Sequence, residues 1–318
     1  MEVPIEARQL TRRFNDLVAV DEVNFGVRRG EVFGFLGPNG AGKTTTVRML
    51  TGVLEPTAGT AMVDGYDVRR HPVTARKRMA SVPEDANIYV DLTVWQNIML
   101  TAAFYRIPRR TGEENAAELL RAFGLYERKN EKGYELSKGL KRRLMLCMAL
   151  VSNPAILFLD EPTGGLDVVS ARMVREEIRK MSKQGLTVFL TTHNIAEAEQ
   201  LCSRVAIINN GRIVAIDTPE ALKAKIAETC AVELKFEGSS LREEEIQAVE
   251  QVREVRKTES GYLIYTRSPG RVAQRLGCLA SEKGLHIRSI NTLGPDLEEV
   301  FVQMTGSDTK DAKSGGDA

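Results

Sequence analysis

Gly37-Pro38-Asn39-Gly40-Ala41-Gly42-Lys43-Thr44-Thr45 follows directly on the apolar run Glu31-Val32-Phe33-Gly34-Phe35-Leu36 and leads into Thr44 to Leu54, where apolar residues recur at helical spacing. The segment fits G-x-x-x-x-G-K-[ST] in full, in the strand–loop–helix setting that gives the pattern its meaning. Glycines let consecutive backbone N–H groups turn inward, and the helix that follows presents its positive end, so the loop suits the phosphates of a nucleotide. Lys43 is placed to reach the β- and γ-phosphates, and the Thr44 hydroxyl to ligate Mg²⁺. A ligand-free glycine turn is the bland alternative, and the complete motif in context argues against it.

Further along, Ala155-Ile156-Leu157-Phe158-Leu159-Asp160 is a nearly continuous apolar run, as expected of a parallel strand covered on both faces. Ligands of open parallel sheets sit at the carboxyl ends of strands, so Asp160 and Glu161 point towards the expected phosphates. Asp160 suits a direct or water-mediated Mg²⁺ contact, and Glu161 could polarise an attacking water as general base. An acidic pair capping a helix would explain the two carboxylates but not the continuation Pro162-Thr163-Gly164-Gly165-Leu166-Asp167.

The surrounding chain alternates apolar runs with amphipathic stretches up to about residue 225, which predicts an α/β domain over 1–227. A mostly helical part spans about 88–152, with Leu119, Leu120, Phe123 and Leu125 as an apolar stripe. Arg204 to Asn209 and Arg212 to Ala215 meet at Asn210-Gly211 as a closing hairpin. Composition shifts after Ala227, and 228–306 reads as a small α+β domain of order β-α-β-β-α-β, with a charged helix from Leu241 to Val252. Its last helix starts at Asp296, with Glu299 completing a capping-box pattern. The tail 307–318 has almost nothing to bury and is expected to be disordered.

In 318 residues, a 42% hydrophobic and 27% charged composition suffices for a core without metal or disulfide staples. A net charge of +1 gives no reason to expect nucleic acid as a partner. Cys147, Cys202, Cys230 and Cys278 lack metal-ligand spacing and are expected as small core residues in a reducing cytosol. No apolar run reaches membrane-span length and Met1-Glu2-Val3-Pro4 lacks a signal peptide's character. The expectation is a soluble chain whose membrane span, if it needs one, belongs to a partner.

Three further segments gain meaning from their order. Leu136-Ser137-Lys138-Gly139-Leu140-Lys141-Arg142-Arg143 opens a helix before the acidic strand, Gly164 to Asp167 follows that strand, and Thr191-Thr192-His193 follows the next. Together with the glycine loop, they make the first 225 or so residues resemble the nucleotide-binding subunit of an ATP-binding cassette (ABC) transporter. The implied fold is a P-loop NTPase cassette with a mixed sheet core and a helical subdomain, carrying the small α+β domain behind it. Gly37 to Thr45 then corresponds to the family's Walker A loop, Ile156 to Glu161 to Walker B, Leu136 to Leu140 to the signature, Gly164 to Asp167 to the D-loop and His193 to the switch histidine. Phe14 falls where the family stacks an aromatic on adenine; a core Phe near a strand is the alternative.

The resemblance also implies a mechanism. Two cassettes, here a homodimer, would sandwich two ATP molecules, with Ser137 and Gly139 of one touching the γ-phosphate held by the other. The D-loop, with Asp167, would border the same nucleotide, and His193 would hydrogen-bond its γ-phosphate. Two departures stand out: Lys138 and Leu140 replace the signature's first glycine and its Gln, and Glu84, in Ser81-Val82-Pro83-Glu84-Asp85, replaces the usual Gln. Glu84 offers Mg²⁺ a hard oxygen but adds negative charge near the γ-phosphate; Lys138 either adds positive charge there or is simply solvated. Both variants, and the ending Leu297-Glu298-Glu299-Val300-Phe301, are similar to the exporter branch of daunorubicin-resistance ATPases. The implied role is hydrolysis of ATP at the cytoplasmic face of the cell membrane, driving a separate multi-span permease. A soluble ABC ATPase of translation or repair is the rival reading, though no tandem cassette, coiled-coil insertion or basic segment supports it.

Overall fold

A computed structural model describes residues 3–84, 88–225, 230–238, 240–258, 260–294 and 296–306. It divides into two compact units, Met1–Pro219 and Glu220–Ala318. The boundary expected at 227 lies outside the described residues, as does the tail 307–318.

In the first unit the elements run β1 (Ile5–Phe14), β2 (Leu17–Val27), β3 (Val32–Leu36), α1 (Lys43–Leu50), β4 (Ala58–Val63), β5 (Tyr66–Asp67), α2 (Pro72–Arg76) and β6 (Met79–Val82). There follow α3 (Val94–Phe104), α4 (Arg109–Ala122), α5 (Lys138–Leu150), β7 (Ile156–Asp160), α6 (Val168–Lys183), β8 (Thr187–Thr192), α7 (Ile195–Leu201), β9 (Arg204–Asn209) and β10 (Arg212–Asp217). The central sheet has the order β10-β9-β3-β8-β7-β6, parallel throughout except for β10, which pairs antiparallel with β9 through the expected hairpin. Every residue of β3, β7 and β8 is buried, which is why β3 and β7 read as nearly continuous apolar runs and β8 carries Val188-Phe189-Leu190 at its centre.

A second, antiparallel sheet of order β2-β1-β4-β5 packs against the first. Phenylalanines make the joint: Phe25 of β2 meets Phe33, Phe35 and Phe189 with ring centroids 5.6, 5.6 and 5.7 Å apart. Each such pair adds about 0.5–1.5 kcal/mol beyond its buried area. Helix α1 ends at Leu50 rather than running to Leu54, because Gly52 takes a left-handed φ of 67° and closes it. Helices α3, α4 and α5, which follow β6 and precede β7 in the chain, pack on one another. The stripe of Leu120, Phe123 and Leu125 is fully buried, and Leu119 half-buried.

Helix α8 (Pro219–Lys225) starts on the last residue of the first unit, and the second unit goes on with β11 (Ala231–Glu237), α9 (Glu243–Gln247), β12 (Val252–Thr258), β13 (Gly261–Thr266), α10 (Pro269–Glu282), β14 (His286–Leu293) and α11 (Leu297–Gly306). From β11 to β14 this is the expected β-α-β-β-α-β order. The strands pair antiparallel as β12-β13-β11-β14 around a core of Val232, Leu234, Ile246, Ile264, Val272 and Leu276. One expectation is corrected: the helix over Leu241–Val252 is only the five residues of α9. Gln251, at a left-handed φ of 74°, turns the chain so that Val252 opens β12. Asp296 does cap α11, accepting from the Glu299 backbone N–H at 2.7 Å.

Cys147 and Cys202 are buried and Cys230 half-buried, but Cys278 is exposed. It lies on α10 opposite the buried line Val272, Leu276 and Ala280, so it is not a core residue. Among the described residues no helix is long and apolar enough to cross a membrane.

Candidate active site

The glycine loop leaves β3 and wraps the start of α1. Gly42, the N-cap, has φ 102°, and a Cβ there would lie 2.5 Å from the Ala19 carbonyl oxygen, so both conformation and space demand glycine. Lys43 is buried and turns back over the loop, donating from Nζ to the carbonyls of Gly37 at 2.8 Å and Pro38 at 3.2 Å. Behind it, the Thr44 hydroxyl donates to Asp160 Oδ2 at 3.0 Å. The other carboxylate oxygen of Asp160 accepts from the Thr191 hydroxyl. Asp160 is thus held from both sides at the end of β7. Asn39, Gly40, Ala41 and Thr45 complete the loop, and Gly40 also takes a left-handed φ, of 81°.

Glu161 follows Asp160, and its backbone is left-handed, with φ 47°. For a non-glycine residue outside Asn and Asp this is an unusual, strained state of the kind found at functional sites. Its side chain is buried and meets two nitrogen partners: His193 Nδ1 lies 2.9 Å and Lys43 Nζ 3.6 Å from Oε1. Adjacency of strands explains the meeting. β3, β8 and β7 are neighbours, so their carboxyl ends deliver the loop, His193 and the acidic pair to one place. β6, beside β7, brings Glu84 to the same edge, where it is exposed.

Ser137, Gly139 and Asp167 gather in a second cluster. Ser137 caps α5, accepting from the Leu140 N–H at 3.3 Å. A Cβ on Gly139 would lie 2.8 Å from Ser170 Oγ, so α5 and α6 touch at this glycine. Asp167 caps α6, accepting from the Ser170 N–H at 2.9 Å, and that bond and the Ser170 hydroxyl hold its carboxyl below its ordinary pKa. Phe14, at the end of β1, is not a core residue: it is 40% exposed, with the Arg12 guanidinium 4.5 Å from its ring centre.

Two residues around the acidic pair were not singled out from sequence. Arg142 is buried, and its guanidinium donates to the carbonyls of Pro83, Glu84, Asp160, Glu161 and Pro162. Burial lowers its pKa, opposed by the charges of Asp160, Glu84, Glu197 and Glu161. The signal was available: Gly139, Arg142 and Leu146 recur at i, i+3 and i+7, one face of α5. The second is Glu197, buried and accepting from the Thr163 hydroxyl at 2.6 Å.

Burial raises the Glu197 pKa, partly opposed by the hydroxyls of Thr163 and Thr192. A folded pKa above the unfolded one means that stability from this group is full below the ordinary carboxylate range and is lost as pH rises through the raised value. Glu197→Gln keeps an acceptor for Thr163 without a charge. Its melting temperature should therefore gain on wild type as pH rises from about 4 to about 8. A difference in melting temperature that did not move with pH would refute this assignment.

Residues 20–164 match the family model described as "ABC transporter". The probable multidrug ABC transporter ATP-binding protein YbhF of Escherichia coli (strain K12) is 42% identical over 226 residues, 71% of this chain and 39% of that protein. The chain thus spans about two fifths of that relative's length. The Nod factor export ATP-binding protein I of Burkholderia thailandensis is 37% identical over 310 residues, 97% of this chain and 99% of that protein. Among solved structures, an ATP-binding subunit of an ABC transporter matches with a TM-score of 0.65 and 31% identity, covering 70% of this chain and 93% of that one.

Proposed function

The chain belongs to the ABC transporter ATP-binding family, and on that premise we propose that it hydrolyses ATP to drive a separate, multi-span membrane permease in export. The observation that carries this reading is the carboxylate of Glu161, set between Lys43 and His193 and next to an Asp160 fixed by Thr44. A site that only bound nucleotide would have no use for a strained, buried second carboxylate. Both relatives above are named for export or multidrug transport, which favours the transport role over a soluble ATPase of translation or repair.

The ATP phosphates lie along the loop from Gly37 to Thr45, against the N–H groups at the start of α1. Lys43 exchanges its loop carbonyls for phosphate oxygens, and Phe14 offers its exposed ring to the adenine. The donor set at the loop's mouth fits Mg²⁺, since a hydroxyl and a carboxylate oxygen 3.0 Å apart suit a cation that takes few protein ligands and keeps its waters. Thr44 and Asp160 would hold it, with Glu84 as a further oxygen. When bound, the ion would offset the negative charge of the phosphates and of the Glu84 carboxylate beside them. Glu161 accepts a proton from water as the water oxygen attacks the γ-phosphorus. The bond from that phosphorus to the bridging oxygen breaks, and ADP leaves. His193 hydrogen-bonds the γ-phosphate and loses that partner on hydrolysis.

Within one chain the cluster of Ser137, Gly139 and Asp167 belongs to α5 and α6, not to the loop. It completes the site in a homodimer, where the partner's Ser137 and Gly139 meet the γ-phosphate. A helix start offering backbone N–H groups suits that charge. The chain works at the cytoplasmic face of the membrane through its permease. The domains act as 1–227 for the cassette, with its helical subdomain at about 88–152, and 228–306 as an accessory domain. The S-K-G and P-E variants favour the branch similar to daunorubicin-resistance ATPases.

Purification of the tagged chain from detergent-solubilised membranes should bring down, as identified by mass spectrometry, a protein with several hydrophobic spans. Co-fractionation with ribosomes or DNA instead would end the transport reading.

A further inference from the structure

We propose that Arg142 is a positioning residue for hydrolysis, holding the backbone turn that aims Glu161 and tying that turn to the loop carrying Glu84. The proposal rests on the reading of Glu161 as the general base.

A guanidinium has five N–H donors in a fixed planar fork. Here every one has an acceptor: Nε donates to the Pro162 carbonyl at 3.2 Å, Nη1 to Pro83 at 2.7 Å and Glu84 at 3.3 Å, and Nη2 to Asp160 at 2.6 Å and Glu161 at 3.1 Å. Three consecutive carbonyls, of residues 160 to 162, converge on one group. Such convergence follows from the left-handed φ of Glu161, which breaks the strand's alternation at that residue. A glutamate has no intrinsic preference for that conformation, so an outside partner must hold it. The Glu161 N–H donates to the Thr191 carbonyl at 3.1 Å, which fixes one side of the turn. Arg142 fixes the other.

The same side chain also spans two strand ends. Nη1 reaches the loop after β6, while Nη2 and Nε reach the turn after β7. Arg142 itself sits on α5, whose first residues follow the Ser137 cap. One buried cation therefore fixes the relative positions of the cap of α5, the Glu84 loop and the hydrolytic carboxylate. None of its bonds goes to the glycine loop or to Lys43. The phosphate clamp and the aim of the base are thus built from different groups, and they can be separated by mutation.

The test uses the full chain, with ATP turnover by phosphate release and ATP affinity by a fluorescent analogue. Arg142→Gln should lower kcat by roughly 10- to 100-fold, the scale of a misplacement of about 1 Å, with affinity within about twofold of wild type. Arg142→Lys keeps the charge but has three donors and no fork, so its kcat should fall between the two. If Arg142→Gln does not fold, Arg142→Lys alone carries the comparison. The proposal is overturned if Arg142→Gln keeps wild-type kcat, if lysine restores kcat fully, or if kcat and affinity drop together, as a merely structural role would produce. Failure of the underlying reading looks different: Glu161→Gln would then still hydrolyse ATP, whatever the Arg142 variants did.

Discussion

Glu161→Gln should leave ATP binding intact and lower turnover by about 10²–10⁴-fold, the usual contribution of a positioned general base. The amide is nearly the same shape as the carboxylate. It can still accept from His193 and occupy the same strained turn, so the fold has little reason to respond. What it cannot do is take a proton from water. Without hydrolysis the γ-phosphate would persist, and with it the proposed contact with the partner's Ser137. The variant should therefore accumulate as an ATP-bound dimer, visible by size-exclusion chromatography with light scattering in ATP but not in ADP. Wild-type turnover in this variant would show that another group activates the water.

Lys43→Ala acts on the earlier step. It removes a buried ammonium whose bonds to phosphate would be charge-assisted, a class worth about 1.5–3 kcal/mol each. ATP affinity should fall by roughly 10- to 150-fold, since about 1.4 kcal/mol is a factor of ten. The loss should be smaller for ADP, which has no γ-phosphate for the lysine to reach. Titration calorimetry with both nucleotides measures the contrast, and unchanged ATP affinity would contradict the phosphate-clamp role. Because Lys43 also lies 3.6 Å from Glu161, the variant should lose turnover beyond what weaker binding explains. Saturating ATP would expose that remainder as a reduced kcat.

What the sequence made legible was whatever depends on local pattern. The glycine loop, the strand ending in Asp160 and Glu161, and His193 after the next strand follow from short segments whose periodicity and punctuation carry their own physics. The order of elements in the C-terminal unit was legible for the same reason. Less so was anything set by distant partners. The antiparallel sheet of β1, β2, β4 and β5 is held to the central sheet by Phe25, and nothing local to Phe25 says which layer it faces. The charged stretch from Leu241 reads as a long helix, yet it stops at Gln247 and Gln251 then turns the chain into β12; a left-handed glutamine has no sequence signature. Lys141, Arg142 and Arg143 look alike in a basic run. Only the packing of α5 decides that Arg142 is the one 7% exposed and surrounded by carbonyls. Glu197 stands at a helix start where a capping role is the natural expectation, since Asn194 three residues before it caps α7. Its carboxylate goes instead to Thr163.

The left-handed backbone of Glu161 has an evolutionary consequence. In that conformation glycine is free of a cost on the order of 1 kcal/mol that a glutamate bears, and asparagine bears less of it. For backbone conformation alone, drift at this position favours residues that cannot activate water. On the reading of Glu161 as general base, a carboxylate here stands against the local preference of the chain, and turnover is what would offset that cost. Should a lineage cease to need hydrolysis, this is the codon at which folding and former function would part first.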